Sequence, residues 1–229
     1  VRYADFTTVT RSHTAAAPTR DAGELVARAL TLLDRTEAGR RHLHVLGQAR
    51  QGIERMLWIV ELLGGLPPAS KGYPDTEFGY QLAIASRVAR SDAGVRVIHV
   101  PMTLTEFDTH ARHAETYPAL LTEFNDGLHA LVKDLDNVGL SDQVLIATTS
   151  EFGRRPGEND GGIDHGTASC MMMMGPVKAG LHGEPSSLKK LDLNGNLIET
   201  LSFQNYLATL ATWMEIDPAQ VLAPRTGAA

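Results

Sequence analysis

The feature that most constrains the fold is a strand, a long helix and a second strand in direct succession. Val95-Arg96-Val97-Ile98-His99-Val100 is a β-branched run bounded by Gly94 and Pro101, and Gln143 to Thr149 carries a second apolar run, Val144-Leu145-Ile146-Ala147. Between them, from about Tyr117 to Val138, Leu121, Phe124, Leu128, Leu131 and Leu135 recur at helical spacing, with Gly139 placed to end the helix. A single long helix between two strands implies a right-handed parallel crossover, and the strands it links are neighbours or nearly so. Parallel strands are buried on both faces. The expected fold is therefore α/β, a three-layer arrangement with a mostly parallel sheet and helices on both faces.

The remaining pattern supplies covering elements. Leu25, Ala29, Leu32 and Leu33 predict one helix, and the segment from about Gly39 to Leu63 predicts a longer one stopped by Gly64-Gly65. Pro67-Pro68 and Ser70-Lys71-Gly72 predict a surface loop. Thr76 is placed to cap a helix whose inner face holds Phe78, Leu82, Ala85 and Ala89. Downstream, Cys170 to Met174 predicts a buried strand and hence an unreactive thiol. Asn194-Gly195 predicts a hairpin turn, and Phe203 to Met214 a last amphipathic helix. Residues 1–22 are expected to be extended or loosely ordered, 23–222 to form a single domain, and 223–229 a tail.

Composition narrows the functions. With 21 basic and 27 acidic residues the net charge is −6, and no cluster of Lys or Arg is long enough to follow a phosphate backbone, so nucleic acid is not an expected partner. No apolar stretch approaches the roughly 18 to 20 residues of a membrane-spanning helix. The chain begins at Val1 with no signal peptide in its first residues. Cys170 is the single cysteine, which excludes an internal disulfide.

In open parallel sheets ligands lie beyond the carboxyl ends of strands, which directs attention to the segments after Val100 and Thr149. The first reads Thr105-Glu106-Phe107-Asp108-Thr109-His110-Ala111-Arg112-His113; the second runs from Ser150-Glu151-Phe152-Gly153-Arg154-Arg155 through Asn159-Asp160-Gly161-Gly162-Ile163 to Asp164-His165-Gly166. Carboxylate oxygen with neutral imidazole nitrogen suits zinc, manganese or iron, and more oxygen-rich sets admit magnesium or calcium. Simpler readings compete: His110 and His113 as surface residues at a helix start, Glu151 as a local partner of Arg154, and Asp164-His165-Gly166 as a plain turn. The Gly161-Gly162 pair lacks the flanking strand and Gly-Lys-Ser or Gly-Lys-Thr of a phosphate loop.

Taken in order, Gly72-Tyr73-Pro74-Asp75-Thr76-Glu77-Phe78-Gly79, Phe107-Asp108-Thr109-His110, Ser150-Glu151-Phe152-Gly153-Arg154 and Gly162-Ile163-Asp164-His165-Gly166 resemble the bacterial domain-of-unknown-function 1501 family. That family is similar to the alkaline phosphatase and sulfatase superfamily, so the resemblance implies an alkaline phosphatase-like domain. It also implies metal-dependent hydrolysis of small anionic phosphate or sulfate esters, and a periplasmic or otherwise exported location. By the same resemblance Asp108, His110, Glu151 and His165 are the metal ligands, for zinc, manganese, calcium or magnesium. Asp164 and Arg154 would orient ligands or contact an anion, with His113 as a further supporting residue. Family members open with a strand ending in a Gly-Gly-Asn-Asp-Gly type loop and, in the superfamily, a Ser, Thr or Cys nucleophile follows. Neither is found here, so the expectation is a chain without its first strand, with weak or partial metal occupancy and no identified nucleophile. The alternatives are a non-catalytic exported protein that keeps the fold for binding or assembly, and a purely structural domain.

Overall fold

A computed structural model describes residues 2–5, 28, 43–66, 70–91, 93–102 and 107–222. Its elements, in chain order, are β1 (Arg2–Asp5), α1 (Leu43–Gly65), α2 (Glu77–Ala89), β2 (Val95–His99), α3 (His113–Asn137), β3 (Ile146–Ala147), β4 (Gly153–Asn159), β5 (Gly162–Gly166), β6 (Met173–Met174), α4 (Phe203–Trp213) and α5 (Pro218–Val221). The helix predicted around Leu25 to Leu33 lies outside the described residues apart from Arg28, as does the Pro67-Pro68 loop. The chain divides into two compact units, residues 1–106 with 119–144, and residues 107–118 with 145–229.

In the first unit, β1 pairs in parallel with β2, so Arg2 to Asp5, expected to be extended or loosely ordered, forms a strand. Helix α2 begins where the sequence placed its cap: Thr76 is extended (φ −134°) and its Oγ1 accepts the Gly79 amide at 3.1 Å. Leu66, Ile84, Ala85 and Val88 form a buried cluster joined by Val95, Ile98 and Val100 from β2 and its end. Each fully buried aliphatic side chain of this kind contributes roughly 1.5 to 3 kcal/mol relative to an exposed one. Phe78 stacks on Phe124 of α3 at 6.1 Å. Gly127 lets the two helices approach, since a Cβ there would stand 2.9 Å from the Leu82 and Phe78 side chains.

One polar network lies inside this apolar unit. Asp134, 5% exposed, accepts hydrogen bonds from the hydroxyls of Ser70, Tyr73 (2.9 Å) and Ser86, with Arg90 Nη1 3.9 Å from Oδ1. Burial acts to raise the Asp134 pKa, but the three hydroxyl donors and Arg90 outweigh it and hold the carboxyl below its ordinary value. Burial, together with the Asp134 charge, pushes the Tyr73 phenol well above its ordinary range.

The second unit carries two antiparallel pairs, β3 with β6 and β4 with β5. Tyr206 of α4, whose N-cap is Ser202, donates its hydroxyl to the Thr148 carbonyl at 2.7 Å and so ties the helix to the end of β3. The predicted Asn194-Gly195 turn closes Leu191 against Leu197, with Gly195 at φ 77°.

Two expectations are corrected. Cys170 is exposed rather than buried, because the ladder begins only at Met173 and residues 167–172 run outside it. Helix α3 starts at His113 rather than near Tyr117, its first amide satisfied by the Gly161 carbonyl at 2.8 Å, with Pro118 accommodated inside it. The architecture is mixed helix and strand. Among the described residues its strands form three two-stranded sheets, one of them parallel, with β2 bonded to β1 and β3 to β6. No described helix is long and apolar enough to cross a membrane.

Candidate metal centre

All of the site lies in the second unit, on the segment 107–112 and on the β4–β5 hairpin. Gly153 to Gly166, which includes the Asp164-His165-Gly166 that could have been a plain turn, is a hairpin turned by Asp160 (φ 51°) and Gly161 (φ 78°), two left-handed residues in a two-residue turn. An Asp-Gly pair is the usual sequence signal for this turn, and it was present. Pro156, with no amide to offer a ladder, falls in the irregularity between the Arg154 and Glu158 pairings.

The hairpin presses closely on the first segment. The Ile163 amide donates to the Thr109 carbonyl at 3.3 Å, and a Cβ on Gly162 would lie 2.1 Å from the His110 carbonyl carbon. Only glycine permits that approach. Within 107–110 side chains alternate: Thr109 turns inward, 8% exposed, and its Oγ1 lies 2.6 Å from His113 Nδ1, while Asp108 and His110 are exposed.

Asp108, His110 and His165 thereby converge. Asp108 Oδ1 is 2.7 Å from His165 Nε2 and 2.9 Å from His110 Nε2, and the two imidazole nitrogens are 3.1 Å apart. A hydrogen bond from His165 is the leading cause that holds the Asp108 carboxyl below its ordinary value; desolvation opposes it, and the electrostatic influence of His110, His165 and Arg154 adds to it. Asp108 is therefore ionised at neutral pH and available as a ligand.

The spacing can be tested against a metal ion. Three donors on one face of an octahedron with bonds of roughly 2.1 Å stand about 3.0 Å apart, and at the corners of a tetrahedron with roughly 2.05 Å bonds about 3.3 Å apart. The triangle of 2.7, 2.9 and 3.1 Å lies within a few tenths of an ångström of the octahedral face and is further from the tetrahedral one. Two imidazoles and one carboxylate favour zinc or manganese over calcium and magnesium, which prefer all-oxygen sets.

The other sequence candidates stand around this group. Asp164 accepts both its contacts from Asn159 Nδ2 at 3.3 Å and comes within 3.9 Å of His110 Nδ1. His113 contacts Thr109 and packs on Tyr117 with ring centroids 4.4 Å apart. Glu151 is exposed at the bend before β4 and stands outside the group of three. Arg154 directs one guanidinium arm to the Ile163 carbonyl and the other to the Phe107 carbonyl at 2.6 Å, with Asp108 Oδ1 at 3.8 Å. Sequence reasoning missed Phe152, whose ring stacks on His165 at 3.8 Å and 6°. Its position directly before β4 and two residues before Arg154 was the available signal.

The fold and site define a mixed helix and strand protein with an exposed Asp-His-His group of metal-ligand spacing. The chain belongs to the family described as Protein of unknown function (DUF1501), which matches residues 17–229. Comparison with curated proteins and with solved structures gave no match.

Proposed function

We propose that this protein is a metal-dependent hydrolase of small phosphate or sulfate esters, with Asp108, His110 and His165 holding the ion. The observation that carries the reading is the convergence of these three side chains, all within 4.8 Å of one another, from segments more than fifty positions apart in sequence. A divalent ion bound there would polarise an ester oxygen and lower the pKa of an attacking water. The chain supplies the rest: Asp108 brings negative charge, the exposed face of the group admits substrate, and Phe152 fixes the His165 ring. Glu151 is proposed as a further ligand that joins on binding, since it is exposed and one residue before Phe152, whose ring stacks on His165.

With this goes the superfamily reading. An alkaline phosphatase-like, three-layer and mostly parallel α/β core, and an exported location, fit the family resemblance and the β1–β2 parallel pair. A second reading, a non-catalytic exported binding or assembly protein, is favoured by one observation. Thr109, a hydroxyl beside an imidazole, is buried and so not offered as a nucleophile.

The test is metal titration followed by turnover of an aryl phosphate and an aryl sulfate. Zinc or manganese binding with turnover supports the hydrolase, and binding without turnover of any ester supports the second reading. No binding of either metal removes both metal-based readings.

A further inference from the structure

We propose that Arg154 is a positioning residue, a clamp that fixes the segment bearing Asp108 to the strand bearing His165; this rests on the metal reading for its consequence but not for its geometry. Arg154 lies opposite His165 in the β4–β5 register, so the two side chains share a face of the hairpin. Its Nη1 donates to the carbonyl of Ile163, two residues before His165, and its Nη2 to the carbonyl of Phe107, one residue before Asp108, at 2.6 Å. A weaker approach of Nη2 to Thr109 Oγ1, 3.5 Å, reaches the residue between Asp108 and His110.

The third support is a stack. Arg154 Cζ lies 4.8 Å above the Phe152 ring, and Phe152 in turn lies flat on His165. One planar cation therefore braces the backbone on both sides of the site and, through Phe152, the imidazole ring itself. The guanidinium is suited to this because its fork is rigid and its donors diverge in one plane, whereas an ammonium is a point charge on a flexible stem. The side chain is 19% exposed and two of its arms are committed to main-chain carbonyls. Its role is thus distinct from gripping a substrate anion.

The experiment compares wild type, Arg154→Lys and Arg154→Ala by calorimetric titration with zinc and by the visible spectrum of the cobalt-loaded protein. The expected result is a roughly 10- to 100-fold loss of zinc affinity in both variants, the scale seen when support behind a ligand is removed. An altered cobalt spectrum and partial recovery of Arg154→Ala by added guanidinium ion are also expected. Variants that fold and bind zinc as wild type does overturn the clamp. Should the wild type bind no metal, the metal reading fails by itself, and amide hydrogen exchange of the metal-free proteins decides the clamp. Faster exchange confined to residues 107–110 and 161–166 in Arg154→Ala supports it, and unchanged exchange there overturns it. If neither variant melts cooperatively, the wild-type protein decides by NMR: slowly exchanging, resolved Nη protons of Arg154 support the clamp, and fast, averaged ones overturn it.

Discussion

His165 Nε2 stands 2.7 Å from Asp108 Oδ1, although 56 residues separate the two in sequence. This contact is the shortest side of the ligand triangle. Replacing His165 by Ala is expected to lower zinc affinity by at least the roughly 10- to 100-fold typical of lost supporting contacts, because a donor itself is removed. Calorimetric titration of wild type and variant at pH 7 measures it, and equal affinities would exclude His165 from the site.

Gly162 decides whether the hairpin can reach the first segment. A methyl at this position would meet the His110 carbonyl carbon and oxygen at 2.1 Å and the Ala111 amide nitrogen at 2.7 Å, all of them backbone atoms that cannot rotate away. Gly162→Ala is expected to cost about 1 to 3 kcal/mol of stability, the range for overpacking, and to weaken metal binding at the same time. Thermal melts and zinc titration on one sample test both effects, and loss of neither would mean the close approach is not required.

Asp134 gathers the hydroxyls of Ser70, Tyr73 and Ser86 around a buried carboxylate near Arg90. Asp134→Asn removes the charge and leaves a donor facing donors, so a loss of about 3 kcal/mol is expected at neutral pH, or roughly 6 to 12 °C in Tm for a chain of this size.

The same network carries a pH dependence. The Asp134 pKa is lowered on folding, so its contribution is fully present above the unfolded carboxylate value of about 3.9 and is lost as pH falls through the lower folded value. The gap in Tm between wild type and Asp134→Asn is therefore expected to be constant from about pH 7 to 5 and to shrink below about pH 4. A gap that stays constant into acid would mean that the carboxylate is not the stabilising form.

Cys170 is exposed, in contrast to the buried strand residue its apolar neighbours predicted. Native protein is expected to react with one equivalent of a thiol reagent such as dithiobis-nitrobenzoate without denaturant. Labelling that requires unfolding would restore the buried reading.

What the sequence by itself determined is local. The Thr76 cap, the apolar face of α2, the strand β2 between Gly94 and Pro101, the long helix α3 and the Asn194-Gly195 turn all follow from residues within a few positions of one another, and all are present. The motifs also singled out Asp108, His110 and His165 before any geometry was known, through residue chemistry and family resemblance. The tertiary structure alone decided which segments pair. Met173-Met174 runs antiparallel to β3, the Asp160-Gly161 signal closes a hairpin, and that hairpin carries His165 and Arg154 onto Asp108. It also left Cys170 outside the ladder, since a five-residue apolar run states a preference for burial but not how many of its residues find a partner strand. The reason is physical: capping and helical periodicity are fixed by contacts three or four residues apart, whereas ladder register and side-chain convergence depend on backbone groups dozens of residues away.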